Sequence, residues 1–83
     1  MFLLLMMISL SVFAKKDCTS ESKDKWMKIE DFKSLVTKKG FKIRKFKQPG
    51  TCYEIYGKDK DGKEVEIYFN PVNAKIVKIE FED

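Results

Sequence analysis

Apolar residues recur at two different periods along this chain. Over residues 29–39, Ile29, Phe32, Leu35 and Val36 return every three or four positions, the spacing of one helix face. Glu30 and Asp31 stand in the first turn and Lys38 and Lys39 in the last, each sign complementing the helix dipole. Gly40 then takes the left-handed position after the helix, and Phe41 folds back onto Val36 in a Schellman closure. Beyond Gly40 the period falls to two, the signature of strands. Phe41 and Ile43 share one side of the first strand, residues 41–47, but Phe46 has the opposite parity, and a β-bulge between them restores a single apolar face.

Of three turns, the last two fix how the later strands meet, while the first leaves its register open. Gln48, Pro49, Gly50 and Thr51 predict a type II turn with Pro second and Gly third. Asp59, Lys60, Asp61 and Gly62 predict a type I turn with Gly in the left-handed position, which sets Tyr53 opposite Phe69 and Ile55 opposite Ile67. Asn70, Pro71, Val72 and Asn73 repeat that shape with Asn73 left-handed, which sets Ile67 opposite Val77 and Val65 opposite Ile79. Tyr53, Ile55, Val65, Ile67, Phe69, Val77 and Ile79 then form one apolar face for the helix to cover, with Trp26 as a lid. The other face carries Glu54, Tyr56, Glu64, Glu66, Tyr68, Ile76, Lys78 and Glu80, with Glu66 facing Lys78 favourably and Glu64 facing Glu80 unfavourably. The fold class is α+β: one N-terminal amphipathic helix packed on a four-stranded antiparallel meander.

The first fourteen residues, MFLLLMMISLSVFA, are uncharged, apolar through Ile8, and then turn to small residues and reach Val12 and Ala14, the small-residue spacing of a signal-peptide cleavage site. Cleavage is expected after Ala14. The run is shorter than the ~20 apolar residues that span a bilayer, so no stable membrane insertion is expected after cleavage. Lys15, Lys16 and Asp17 separate it from Cys18, which argues against a lipid on that thiol. Residues 15–25 are polar and read as an extended arm, leaving residues 26–83 as one small domain. A domain this short usually needs a cross-link. Cys18 and Cys52 both fall in the exported part, and an oxidising compartment makes them one disulfide. No histidine is present to complete a zinc site around two thiolates. Cys52 has the parity of the polar face, so either the arm wraps to reach it or the start of the strand is distorted.

Charge changes the picture only modestly. Residues 15–50 carry twelve Lys/Arg against five Asp/Glu, and residues 51–83 carry five against eight. A net charge of +4 serves solubility, and without a recognition motif no nucleic-acid partner is expected. The DKDG of residues 59–62 lacks the spaced oxygen donors of a calcium loop. Without histidine there is no Ser/His or Cys/His pair, and Glu54, Glu64 and Glu66 on an open sheet are solvated. No catalytic residue, metal or cofactor is expected, and the chain is read as no enzyme. The remaining chemistry is binding. Tyr56 and Tyr68 bordered by Glu54 and Glu66 form a small aromatic anchor set for a basic partner. The sheet edges, residues 41–47 and 76–81, offer strand addition, but Lys42, Lys45, Lys47 and Lys78 are the residues that discourage it. The alternative reading uses the basic helix side, Lys28, Lys33, Lys38, Lys39 and Lys42, to hold anionic cell-surface polymer or lipid.

Taken together, Cys18, Trp26, Gly40 with the aromatic after it, CYEIY at 52–56, Asp61 with Gly62, and EIYFNP at 66–71 resemble the PepSY-like domains of small secreted or periplasmic bacterial proteins. The resemblance spans nearly all of the mature chain. It implies a helix on an antiparallel sheet and, since such modules in protease propeptides are associated with restraining their peptidase, a role in modulating or inhibiting a peptidase or other envelope protein. It brings no catalytic residues with it. The family's acidic residue and Gly in the last turn read here as Asn70 and Asn73-Ala74, and its helix-capping Ser/Thr as Lys28, which implies a frayed helix start. The expected protein is a small exported non-catalytic binding module. It is a monomer, periplasmic or secreted, and its partner is an unidentified envelope or secreted protein.

Overall fold

The computed structural model describes residues 16–82, so the expected signal segment lies outside the described residues. A short 3-10 turn, Lys23–Lys25, leads into helix α1, Ile29–Lys38, and then into strands β1 (Lys42–Lys47), β2 (Tyr53–Lys58), β3 (Glu64–Phe69) and β4 (Ile76–Glu82). The strands lie in the order β1-β2-β3-β4, every neighbour antiparallel. This is the expected α+β meander.

Lys28 precedes helix α1 as an N-cap residue that makes no side-chain capping bond, and the helix ends one residue earlier than expected. Its end is a full Schellman motif: Gly40 N–H donates to the Thr37 carbonyl at 3.0 Å and Phe41 N–H to the Val36 carbonyl at 3.3 Å, with Gly40 at φ +104°. The buried stripe of α1 is Phe32 and Val36, packed against Tyr53, Ile55, Val65, Ile67, Phe69 and Ala74. Phe32 is the hub. Its ring centroid lies 5.9 Å from Phe46, 4.8 Å from Tyr53 and 4.9 Å from Phe69, within the range of favourable aromatic pairs. Trp26 closes this cluster edge-on to Tyr53 at 5.6 Å. The backbone of Met27 is stapled twice, its N–H donating to the Pro71 carbonyl at 2.8 Å and its carbonyl accepting from the Tyr53 hydroxyl at 2.6 Å.

The bulge expected in the first strand is present. The register shifts between Ile43 and Lys45, leaving Arg44 as the extra residue, so that Ile43 pairs with Gly57 and Phe46 with Ile55. Gly57 has a steric reason to be there: a Cβ on it would overlap the Lys42 carbonyl. The β2–β3 pairing also follows expectation, Tyr53 with Phe69 and Ile55 with Ile67. Gly62 N–H donates to the Asp59 carbonyl at 3.0 Å, and the Asp59 carboxylate accepts from the Asp61 and Lys63 N–H groups, both at 2.9 Å.

Two turns differ from the reading of the sequence. The β1–β2 turn closes one residue later, with Cys52 N–H donating to the Pro49 carbonyl at 3.0 Å, so Gly50, at φ +57°, is second rather than third. That placement leaves Thr51 N–H free to donate to the Lys16 carbonyl at 2.8 Å. A Cβ on Gly50 would overlap the same carbonyl. The turn is shaped by the arm as well as by strand twist.

The β3–β4 connection is longer than four residues. Ala74 N–H donates to the Asn70 carbonyl at 2.7 Å and Asn70 N–H to the Lys75 carbonyl at 2.8 Å, and Ala74, not Asn73, takes the left-handed backbone at φ 62°. The Asn70 and Asn73 side chains accept from Val72 and Lys75 N–H, so both asparagines serve the turn through their amides. The extra length moves the register by two. Ile67 pairs with Ile79, not Val77; Val65 with Phe81, not Ile79; Glu66 with Glu80, not Lys78; and Glu64 with Glu82, not Glu80. A bulge at Val77 absorbs the remainder. Val77 is therefore no core residue but 44 % exposed, while Ile79 packs half-buried against the core.

Candidate functional site

The polar face of the sheet is built in cross-strand rows, because antiparallel registry aligns side chains of equal parity. One row runs Lys47, Glu54, Tyr68, Lys78, and the next runs Lys45, Tyr56, Glu66, Glu80. The four residues singled out from sequence, Glu54, Tyr56, Glu66 and Tyr68, thus occupy adjacent rows at the centre of one face. Tyr68 donates its hydroxyl to Glu66 Oε2 at 3.0 Å.

Their exposure differs from the open face expected. Glu54 is 3 % exposed and Tyr68 6 %, while Tyr56 and Glu66 are half-buried. One visible cause is the arm. Cys18 is bonded to Cys52 in a disulfide, Cα to Cα 5.0 Å, and Cys18 N–H donates to the Thr51 hydroxyl at 2.8 Å. The arm therefore wraps under the sheet, and Lys16 brings its ammonium 5.1 Å from the Tyr68 ring centroid.

Burial sets the chemistry of this cluster. It pushes the Glu54 carboxyl up to about 7, assisted by a shared hydrogen bond with Glu66 and by the like charge there. The same bond from Glu54 holds Glu66 below the ordinary carboxylate range. The pair thus holds one proton between two carboxyls at mildly acidic pH and releases it around neutrality, a situation known for carboxylate dyads. Glu54 Oε2 is buried without a hydrogen-bond partner, consistent with a carboxyl that resists ionising. The hydrogen bond to Glu66 pushes the Tyr56 phenol up to about 12. Burial and then Glu66 push Tyr68 higher still.

Local charge also departs from expectation. Glu66 is the more acidic of the two central carboxyls, and lysines border the pair. Lys45 and Lys47 stand 5.6 and 5.5 Å from the Tyr56 ring centroid, cation–π contacts of modest strength. The two tyrosines and two carboxyls expected from sequence thus stand together, with Lys45, Lys47 and Lys78 at the ends of their rows. Sequence reading missed Lys16, Lys45, Lys47 and Thr51. Once the bulge at Arg44 is placed, Lys45 and Lys47 acquire the parity of Glu54 and Tyr56, so that signal was available.

The other candidates do not converge. Lys33 lies over the Phe46 ring at 5.0 Å, and the remaining basic helix-side residues extend from the helix start at Lys28 to β1 at Lys42, with Glu30 between them. Glu64 pairs with Arg44 at the bulge. Among the described residues no cluster of His, Cys, Asp or Glu is arranged to hold a metal, and no helix is long and apolar enough to cross a membrane.

A pH dependence follows from the pair. Glu54 has its pKa raised on folding from about 4.5 to about 7, so its contribution is intact below about 4.5 and is lost as pH rises to about 7. The depressed Glu66 acts the other way, losing its contribution only below the ordinary carboxylate range. Between pH 5 and 8, folded stability should therefore fall by roughly 2 kcal/mol. Glu54→Gln should remove that slope and raise the pH 8 melting midpoint by roughly 8–16 °C, with little change at pH 5. Parallel melting-versus-pH curves for the variant and the native protein would sink this assignment.

A helix laid on a four-stranded meander, tied by one bridge and carrying tyrosines and carboxyls on its far face, defines a small α+β module. The chain belongs to the peptidase propeptide and YPEB domain family, whose model matches residues 1–80. No curated protein and no solved structure matches it. Domains of this family are generally non-catalytic and occur in exported proteins.

Proposed function

We propose that this protein is an exported, non-catalytic binding module that modulates or inhibits a peptidase, or another envelope or secreted protein. The observation that carries this reading is the family match across residues 1–80, since the family takes its name from peptidase propeptides. Support for the surface comes from its build. Tyr56 and Glu66 stand half-exposed in the row between Lys45 and Glu80, while Glu54 and Tyr68 sit beside them as a buried support. Such an arrangement holds an aromatic anchor in one orientation before a partner arrives, which lowers the ordering cost of binding. Its border of Lys16, Lys45 and Lys47 suits a partner segment that is neutral or acidic.

The test is direct. The oxidised protein, incubated with peptidases exported by the same cell, should reduce the activity of at least one of them, and Tyr56→Ala should weaken that effect by about tenfold or more. Moderate salt should leave most of the effect intact, because a desolvated aromatic contact is screened less than surface charge. Unchanged activity for every peptidase, together with no captured envelope or secreted protein, would overturn the proposal.

A further inference from the structure

The two free edges of the sheet are unlike. On β1, Lys42, Arg44, Lys45 and Lys47 crowd the edge, a standard defence against pairing with another chain; each edge strand also carries a bulge, β1 in mid-strand at Arg44 and β4 near its start at Val77. Strand β4 reads Ile-Val-Lys-Ile-Glu-Phe-Glu over Ile76–Glu82, with a single lysine. Helix α1 reaches from β1 as far as Phe69 of β3, and of the apolar residues of β4 Ile79 alone packs, half-buried, against the core. Ile76 is 48 % and Phe81 58 % exposed beside Val77. This is an apolar, β-favouring edge strand left open.

We propose that β4 pairs antiparallel with β4 of a second copy, about a two-fold axis through Ile79, joining two four-stranded sheets into one. The sequence of β4 is self-complementary in that register. Ile79 meets the partner's Ile79, Val77 meets the partner's Phe81, and Lys78 meets the partner's Glu80, each of the last two contacts occurring twice. Charge selects this register. Within one chain Glu80 lies opposite Glu66, an unfavourable pair, and its nearest cation is Lys78 on its own strand at 3.1 Å. On the open side the partner's Lys78 would face Glu80 directly, placing a second positive charge against that carboxylate. The apolar pairs fall on the helix side of both sheets, so the exposed Val77 and Phe81 cover one another. Both copies keep the polar face with Tyr56 and Glu66 on the same side, so the assembly presents that surface twice. The pairing replaces the monomer expected from sequence. A single-strand seam is smaller than a standard interface of ~1,200–2,000 Å², so the association is a concentration-dependent equilibrium.

Sedimentation of the oxidised protein between about 1 μM and 1 mM should show monomer passing into dimer. Glu80→Lys is the informative variant, because inside one chain it turns the Glu66 pair favourable while it sets Lys against the partner's Lys78. It should keep its folded circular dichroism and weaken dimerisation at least about tenfold. Lys78→Glu with Glu80→Lys restores opposite charges at the seam and should recover the dimer. A monomer at every concentration overturns the proposal, as does a dimer indifferent to Glu80→Lys, which would place the contact elsewhere. Failure of the double variant to recover association would overturn the register. Val77→Lys, exposed and outside the core, gives an independent reading and should also yield monomer.

Discussion

Phe32→Ala is expected to cost about 3–5 kcal/mol of folding stability, enough to leave much of the protein unfolded at 37 °C. A domain of this size holds only roughly 3–10 kcal/mol in total. The loss is large because Phe32 is fully buried and contacts three aromatic rings carried by three different strands. Removing it opens a cavity that no single neighbour can fill without leaving its own strand. Phe81→Ala is the matched control: Phe81 is 58 % exposed, and its loss should cost under about 1 kcal/mol. Urea melts of both variants, followed by circular dichroism, give the comparison. If Phe32→Ala melted within about 1 kcal/mol of the native protein, the helix could not be seated on the sheet as described.

Reducing the Cys18–Cys52 bridge should have an effect of similar size. The bridge closes a loop with a sequence separation of 34, for which the chain-entropy relation gives roughly 4 kcal/mol. That corresponds to a melting midpoint lower by about 15–30 °C. The arm has other anchors, since Thr51 donates to the Lys16 carbonyl and accepts from Cys18 and Thr19 N–H. These hydrogen bonds are exchanged with water when the arm lifts and contribute only about 1 kcal/mol each. The Cys18→Ser, Cys52→Ser double variant should therefore behave like the reduced protein. Coincident melts of oxidised and reduced protein would show that the bridge does not restrain the unfolded chain.

Local signals made much of this fold legible. The 3.6-residue period placed α1 because Phe32 and Val36 have no other role than to be buried, and Gly40 ended it because the Schellman turn requires a left-handed residue. The bulge in β1 was forced by the parity of Phe46. The Asp59–Gly62 turn fixed the β2–β3 register because aspartate and glycine each satisfy one specific need of that turn. The β3–β4 register was missed for a reason of the same kind. Asn70 and Asn73 both carry turn chemistry, and sequence alone does not reveal that Ala74 takes the strained backbone position. A non-glycine residue there costs about 1–2 kcal/mol, offset in this chain by burial of its methyl group and by the hydrogen bond to Asn70.

The candidate site was half legible. Parity correctly grouped Glu54, Tyr56, Glu66 and Tyr68, since every second residue of two paired strands must share a face. Their burial was not legible, because the course of the arm across the sheet contributes to it, and a polar segment without periodicity carries no record of its path. The raised pKa of Glu54 comes first from that burial. On an open sheet the same two residues would both be ionised.

Strand order has a consequence for how the molecule is made. Each strand pairs only with its neighbour in sequence, while the arm and α1 precede all four. A chain synthesised from its N-terminus therefore presents the apolar stripe of α1 and the thiol of Cys18 before any surface exists to receive them. Phe32 waits for Phe46, then Tyr53, and is enclosed only when Phe69 arrives. Chains arrested short of that residue expose an unpartnered helix, the kind of species that chaperones capture. The C-terminal half is the template on which the N-terminal half folds.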